Sequence, residues 1–345
     1  MRVVLVSVFL SIFAIAMVSC SGENSSSHST VSNHTINVSQ VAEVQKDTPP
    51  MLAKIEEVYA IKNGDTLGLD VYQMESPSLN KIAKPVVMFV HGGGFFTGKR
   101  NETNIEDFCK FLAKEGYLVV NMDYRLTLKG RGFGCKIPAE DKIGAIANCV
   151  SDVRTATQWL LDSDFNIDKE KVFLAGSSAG AEAILHVPFW DALEMDLDES
   201  KLFNKFRYAG LMAFAGAMVD TSLINSDNQL PMLLFHGTCD PLVPYGSARH
   251  HFCDKELPGA IMLHGSASLA DRLDELNESY ILVSACGGKH VWAGRPLDEE
   301  HQPTVLEFLN GVKSSSSVSS PFQKRVIIEG ALDNCEHGKE WGPCN

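Results

Sequence analysis

The chain has 345 residues, 45% of them hydrophobic, enough to bury a large core in one or two domains. A formal net charge of −13 and an isoelectric point near 5.3 argue against nucleic acid as a partner, since such proteins normally carry a basic face. After the first twenty residues, no uninterrupted apolar stretch is long enough to span a bilayer.

Arg2 precedes the apolar run V-V-L-V-S-V-F-L-S-I-F-A-I-A-M-V-S, the layout of an export signal over residues 1–19. The junction Met17-Val18-Ser19-Cys20 resembles a bacterial lipoprotein box. That resemblance implies a Cys20 that is acylated and holds the protein at a membrane of the cell envelope. Secretion without a lipid is the alternative. In that case the N-x-S/T sequons at Asn24, Asn33, Asn37, Asn101 and Asn277 are glycosylation acceptors if the source is eukaryotic. Residues 20–50, rich in Ser, Asn, Thr and Val and ending in Pro49-Pro50, read as a flexible tether.

The region 51–312 reads as the main folded domain. Segments 55–61 and 67–73, joined across N-G-D-T, predict an antiparallel hairpin at a sheet edge. The run V-V-M-F-V at 86–90 is continuously apolar, as in a strand buried on both faces. Ile105, Phe108, Phe111 and Leu112 share a helical stripe over 105–115. A strand at 117–122 follows, then a long helix over 140–162 carrying Ile143, Ile146, Val150, Val153, Ala156 and Leu160 at helical spacing. Further strands are predicted at 171–175, 210–215, 231–236 and 280–285, with a closing helix at 303–312. This alternation predicts a mostly parallel α/β sheet with helices on both faces. Residues 187–208 mix aromatic and acidic side chains and read either as a cap over the site or as a surface insertion. Residues 313–345 read as a Ser-rich linker followed by a small Cys-containing tail.

The chain contains nine cysteines. Setting Cys20 aside leaves an even number, which in an oxidising compartment points to disulfides. Proximity in sequence favours Cys135–Cys149, Cys239–Cys253 and Cys335–Cys344, leaving Cys109 and Cys286. No C-x-x-C pair suggests a metal site.

Two motifs carry chemistry. The stretch V-F-L-A-G-S-S-A-G at 172–180 fits G-x-S-x-G in one register, with Gly176 and Gly180 flanking Ser178. A strand turning sharply into a helix exposes the central serine in a strained conformation and needs small neighbours. In that register Ser177 is a spacer. The strand at 86–90 runs into His91-Gly92-Gly93-Gly94-Phe95. Consecutive glycines let backbone N–H groups approach a developing oxyanion without interference from Cβ atoms. The expected donors are the N–H groups of Gly92, Gly93 and Ala179.

With these two motifs in order, and N-M-D-Y-R-L at 121–126 and S-D-V-R-T-A-T-Q-W-L at 151–160 between them, the chain resembles the α/β-hydrolase superfamily. The likeness is to its bacterial carboxylesterase/lipase group with an H-G-G-G oxyanion loop. Ser177 departs from it, because many relatives carry an acidic residue at that position. The resemblance implies a triad in the order serine, acid, histidine. It places the acid at Asp240 in H-G-T-C-D and the base at His290 in the G-G-K-H turn after the last predicted strand. Asp254 and Asp220 are the next acids in line. It implies a small-molecule ester as substrate, with no cofactor and no metal. Phe95, Phe96 and Trp190 either line an apolar acyl pocket or belong to the core. A prolyl-oligopeptidase-like peptidase and a non-catalytic binding protein are the alternatives. An imidazole base must be neutral, so activity is expected to fall below about pH 6–7.

Overall fold

The computed structural model describes residues 49–190, 206–314, 320–330 and 344. The export signal, Cys20, nearly all of the tether and most of the 187–208 segment lie outside the described residues.

The chain begins with a hairpin, β1 (Met51–Lys62) and β2 (Asp65–Glu75). Its two-residue turn, Asn63-Gly64, has positive φ at both positions, 54° and 88°. This turn geometry suits the twist of antiparallel strands. Then β3 (Lys84–Val90), α1 (Thr103–Lys114), β4 (Leu118–Met122), α2 (Ala139–Asp162), β5 (Ile167–Ser177) and α3 (Ala179–His186) alternate. The second half contains β6 (Gly210–Phe214), β7 (Ala217–Met218), β8 (Met232–Gly237), β9 (Ser247–Arg249) and β10 (Met262–Gly265). It closes with α4 (Ser266–Glu275), β11 (Tyr280–Ala285), α5 (Gln302–Ser314) and β12 (Gln323–Ile328).

The main sheet has nine strands in the order β1-β2-β4-β3-β5-β6-β8-β11-β12. The pairs β1–β2 and β2–β4 are antiparallel, and every later pair is parallel. Because side chains alternate along a strand, β3 feeds two cores. Val86, Met88 and Val90 pack with Ile146 and Val150 of α2, Ile184 of α3 and Leu273 of α4 in one cluster. Val87 and Phe89 pack with Phe108 and Leu112 of α1 and Phe308 of α5 in the other. Helices therefore cover both faces, as the alternation predicts.

Three elements were not foreseen. The small antiparallel sheet β7-β10-β9 is built from strands too short to show a period. The helix α4 buries Leu269, Ala270 and Leu273. The third, β12, changes the reading of the tail: it pairs with β11 residue for residue, from Tyr280↔Gln323 to Ala285↔Ile328. Its Q-K-R-V-I-I sequence is half polar because it lies at the sheet edge, and α5 is its crossover.

The disulfides correct the pairings expected from proximity. Cys149 is a free thiol buried on α2, turned into the core and away from Cys135. Cys135 instead bonds Cys253, 118 residues away. Their loops lie side by side: the Gly259 N–H donates to the Cys135 carbonyl at 3.0 Å and the Ala139 N–H to that of Pro258 at 2.7 Å. Cys344 bonds Cys286 at the end of β11, not Cys335. Cys239 is also disulfide-bonded, but not to Cys253. Disulfides of this kind suit an oxidising compartment and suggest export. No helix among the described residues is long and apolar enough to cross a membrane.

A second long-range tie is ionic. Arg125, from the loop after β4, and Asp152 of α2 are both buried and bonded through Nη2 and Oδ1 at 2.7 Å, while the Arg125 N–H donates to Oδ2 at 2.9 Å.

The Cys135→Ser/Cys253→Ser double variant should lose roughly 2–5 kcal/mol of stability, the usual cost of opening a long native loop. Denaturant unfolding of the variant beside the parent measures it. An unchanged midpoint and slope would show that the bridge does not constrain the chain.

Candidate active site

The loops that carry the candidate catalytic residues all leave the C-terminal ends of parallel strands, where open α/β sheets form their crevices. Ser178 stands between β5 and α3 with φ 52° and ψ −120°. Such backbone costs about 1–3 kcal/mol for a residue with a side chain. Here its surroundings hold it in place. The Ser178 N–H donates to the Phe214 carbonyl of β6 at 2.8 Å, and the Ser178 carbonyl accepts from the Glu182 N–H at 2.8 Å. The turn is so tight against β3 that a Cβ on Gly180 would lie 2.1 Å from the Val90 carbonyl oxygen. Only glycine fits there.

The Ser178 hydroxyl lies 2.8 Å from His290 Nε2, and His290 Nδ1 lies 2.7 Å from Asp240 Oδ2. The other Asp240 oxygen, Oδ1, accepts the N–H groups of Leu242 and Val243 at 2.8 and 3.1 Å. His236 Nε2 stands 3.4 Å from Oδ2. Burial alone would raise the pKa of Asp240, but the hydrogen bonds from His236 and His290 outweigh it and hold the group well below the usual carboxylate range. A permanent carboxylate at this position fixes the imidazole tautomer: the proton sits on Nδ1 and leaves Nε2 free to accept from the serine.

The acid and base loops are joined to each other. The Thr238 N–H donates to the Ala285 carbonyl, the Cys239 N–H to the Gly288 carbonyl and the Gly287 N–H to Thr238 Oγ1, at 2.9, 2.9 and 3.1 Å. Ser177 does more than fill space. Its hydroxyl donates to the Ala293 carbonyl at 2.6 Å and so ties the serine turn to the short helix that begins at His290.

The glycine loop is clamped from behind. Tyr124 Oη lies 3.1 Å from the His91 carbonyl and 3.2 Å from that of Gly92, and His91 Nδ1 lies 2.7 Å from the Gly92 carbonyl. The two rings stack with centroids 4.4 Å apart. In a trans peptide the C=O and N–H point opposite ways, so fixing these carbonyls fixes the N–H directions of Gly92 and Gly93. Gly93 has φ +113°, and a Cβ there would lie 2.0 Å from the Thr97 carbonyl oxygen.

Gly92, Gly93, Ser178, Ala179 and His290 share one cavity of about 570 Å³. Phe96 lines it as well. Phe95 does not: it is fully buried, packed against Tyr124 and Phe133. Trp190 also lies elsewhere, with its ring 4.2 Å from that of His186. Asp220 caps a short helix by accepting the Ser222 N–H, apart from the triad. Sequence reasoning missed one wall of the cavity, formed by Glu182, His250 and His251. The available signal was Glu182 itself, a lone acid in the otherwise apolar A-E-A-I-L-H of α3.

The BD-FAE family model matches residues 69–205. Two 3-O-acetylpapaveroxine carboxylesterases of Papaver somniferum are similar. One is 28% identical over 193 residues, covering 53% of this chain and 57% of the relative. The other is 29% identical over 187 residues, covering 50% and 55%. The chain thus spans little more than half the length of these curated relatives. Among solved structures, the apo form of Thermogutta terrifontis esterase 2 superposes with a TM-score of 0.55 at 19% identity, covering 76% of this chain and 96% of that one. Its butyrate-bound form gives a TM-score of 0.53 at 16% identity, covering 73% and 93%.

Replacing Gly93 with Ala should lower kcat on an ester by at least about 100-fold, the typical cost of losing one oxyanion donor. Circular dichroism of the same variant should show a folded protein. Activity within a few-fold of the parent would remove this loop from the site.

Proposed function

This chain belongs to the α/β-hydrolase superfamily, and from that premise we propose that it is a serine hydrolase of carboxylic esters. The observation that carries the reading is the continuous hydrogen-bonded chain Ser178 Oγ–His290–Asp240 beside the glycine loop. As Ser178 Oγ bonds to the ester carbonyl carbon, its proton passes to His290 Nε2, and Asp240 stabilises the imidazolium. Negative charge develops on the former carbonyl oxygen, within reach of the Gly92, Gly93 and Ala179 N–H groups. The C–O bond then breaks, the alcohol leaves with the proton from His290, and the acyl group stays on Ser178. Water repeats the sequence on the acyl-enzyme and releases the acid.

A cavity of about 570 Å³ with Phe96 on its wall suits a small-molecule ester with a short acyl chain. The butyrate-bound and propionate-bound neighbours are in keeping with that size. The disulfides fit an exported enzyme, and we place its anchor at a lipid on Cys20, on the strength of the Met17-Val18-Ser19-Cys20 junction.

The test is hydrolysis of p-nitrophenyl esters of graded chain length by the parent and three variants. Ser178→Ala should abolish turnover. Asp240→Asn should lower kcat by about 10⁴-fold through the wrong imidazole tautomer. Ser177→Ala, which removes one hydrogen bond to the His290 loop, should cost no more than about tenfold. A Ser178→Ala variant that still turns over, with Ser177→Ala inactive, would assign the nucleophile to the wrong serine.

A further inference from the structure

The cavity wall also contains a buried polar cluster that ester hydrolysis does not require. Glu182, in the first turn of α3, donates its N–H to the Ser178 carbonyl at 2.8 Å, and the two residues line the same cavity. The Glu182 side chain is almost wholly buried, it lines the cavity, and its Oε1 accepts no hydrogen bond from the described residues. A buried acceptor without a donor is destabilising, and native proteins rarely keep one without a use.

His250 Nε2 stands 3.6 Å from Glu182 Oε1. That is too far for a direct hydrogen bond. The tautomer of His250 is set from behind. Lys142 Nζ, buried and donating to the Gly259 carbonyl at 2.9 Å, lies 3.2 Å from His250 Nδ1. An ammonium only donates, so Nδ1 accepts and the single ring proton sits on Nε2. Burial, with the charges of His251 and Lys142, keeps this imidazole neutral. Its ring is wedged between Phe133 and His251, with centroids at 4.8 and 4.2 Å. The Cys135–Cys253 disulfide fastens the two loops that carry these groups. The cavity therefore presents a fixed donor, His250 Nε2–H, beside a fixed acceptor, Glu182 Oε1.

We propose that Glu182 and His250 form a hydroxyl-binding subsite that selects esters carrying a free hydroxyl within a few bonds of the scissile carbonyl. A hydroxyl accepts from Nε2–H and donates to Oε1 at once, filling a gap that neither side chain closes alone. A substrate cation would meet the Glu182 carboxyl but face the Nε2–H dipole with the Lys142 ammonium behind it. A substrate carboxylate would accept from His250 but has no proton to give Glu182 Oε1. An apolar chain would leave both groups unpaired. This inference rests on the serine-hydrolase reading above, with Glu182 and His250 as specificity residues and Ser178, His290 and Asp240 as the reacting set.

Two matched pairs of esters test it on the full chain. p-Nitrophenyl butyrate against both enantiomers of p-nitrophenyl 3-hydroxybutyrate probes the acyl side. Ethyl acetate against ethylene glycol monoacetate probes the alcohol side. The parent should prefer the hydroxylated member of one pair by about ten- to hundred-fold in kcat/KM, the effect of one or two good hydrogen bonds. Glu182→Leu should erase that preference and leave kcat/KM for the plain ester within a few-fold. Glu182→Gln, which keeps an acceptor oxygen, should retain part of it. Because the parent comparison needs no variant, a Glu182→Leu protein that fails to fold does not rescue the idea. Equal rates for both members of both pairs in the parent would overturn it, as would a Glu182→Leu loss of equal size on plain and hydroxylated esters. A parent that hydrolyses no ester at all would instead overturn the serine-hydrolase reading.

Discussion

The site depends first on the register of the parallel strands. Val90 of β3 pairs with Gly176 of β5, Ser177 with Phe214 of β6, Phe214 with Phe235 of β8, and Gly237 with Ala285 of β11. Five strands thus end nearly level, and each releases its loop on the same side of the molecule. Neighbouring strands lie about 4.8 Å apart, so the acid strand is about 10 Å from the serine strand and the base strand about 14 Å. The loop after β11 must therefore reach back across β8 and β6 to bring His290 to Ser178. Its bonds to the Asp240 loop and the Ser177–Ala293 bond hold it there.

Around that frame, buried and half-buried polar groups behind the site tie the loops in place. The N-M-D-Y-R-L segment supplies most of them. Asn121 donates to the Arg100 carbonyl at 2.5 Å, Asp123 is paired with Arg100, Tyr124 clamps the glycine loop and Arg125 meets Asp152. Four residues within a five-residue stretch thus reach the glycine loop, the segment after it and α2. Buried ion pairs seldom add net stability over a well-packed apolar core, although breaking one by removing a partner is expensive. Their use here is positional, since each fixes a loop that apolar packing alone would leave free to shift.

Much of this was legible in the sequence because the signals are local. Continuous apolar runs marked the buried strands, helical stripes marked α1 and α2, and the spacing of Gly176 and Gly180 singled out Ser178. Asp240 and His290 follow from the family resemblance and its residue order, not from any local periodicity, and the structure brings them within hydrogen-bonding distance of each other. The disulfides were misjudged because nearness in sequence says little about nearness in space. Cys135 and Cys253 meet only after the loops following β4 and β9 have been laid side by side. β12 reads as tail because its Q-K-R-V-I-I sequence opens on three polar residues and a serine run precedes it. Of the two readings of Phe95, pocket or core, the structure selects the core: the ring is fully buried against Tyr124 and Phe133.

The contrast between Asp240 and Glu182 shows how environment divides two buried carboxyls in one site. Both are almost fully buried, and burial pushes both toward the neutral form. Asp240 is surrounded by donors: two backbone N–H groups on one oxygen, His290 and His236 on the other. Its charge is stabilised and its pKa falls. Glu182 has only the more distant charge of Lys142 to offset burial, and its pKa rises to about 8. A fully bonded carboxylate can orient a base but has no lone pair left for a substrate. A carboxyl with an open oxygen on the cavity wall is free to bind one.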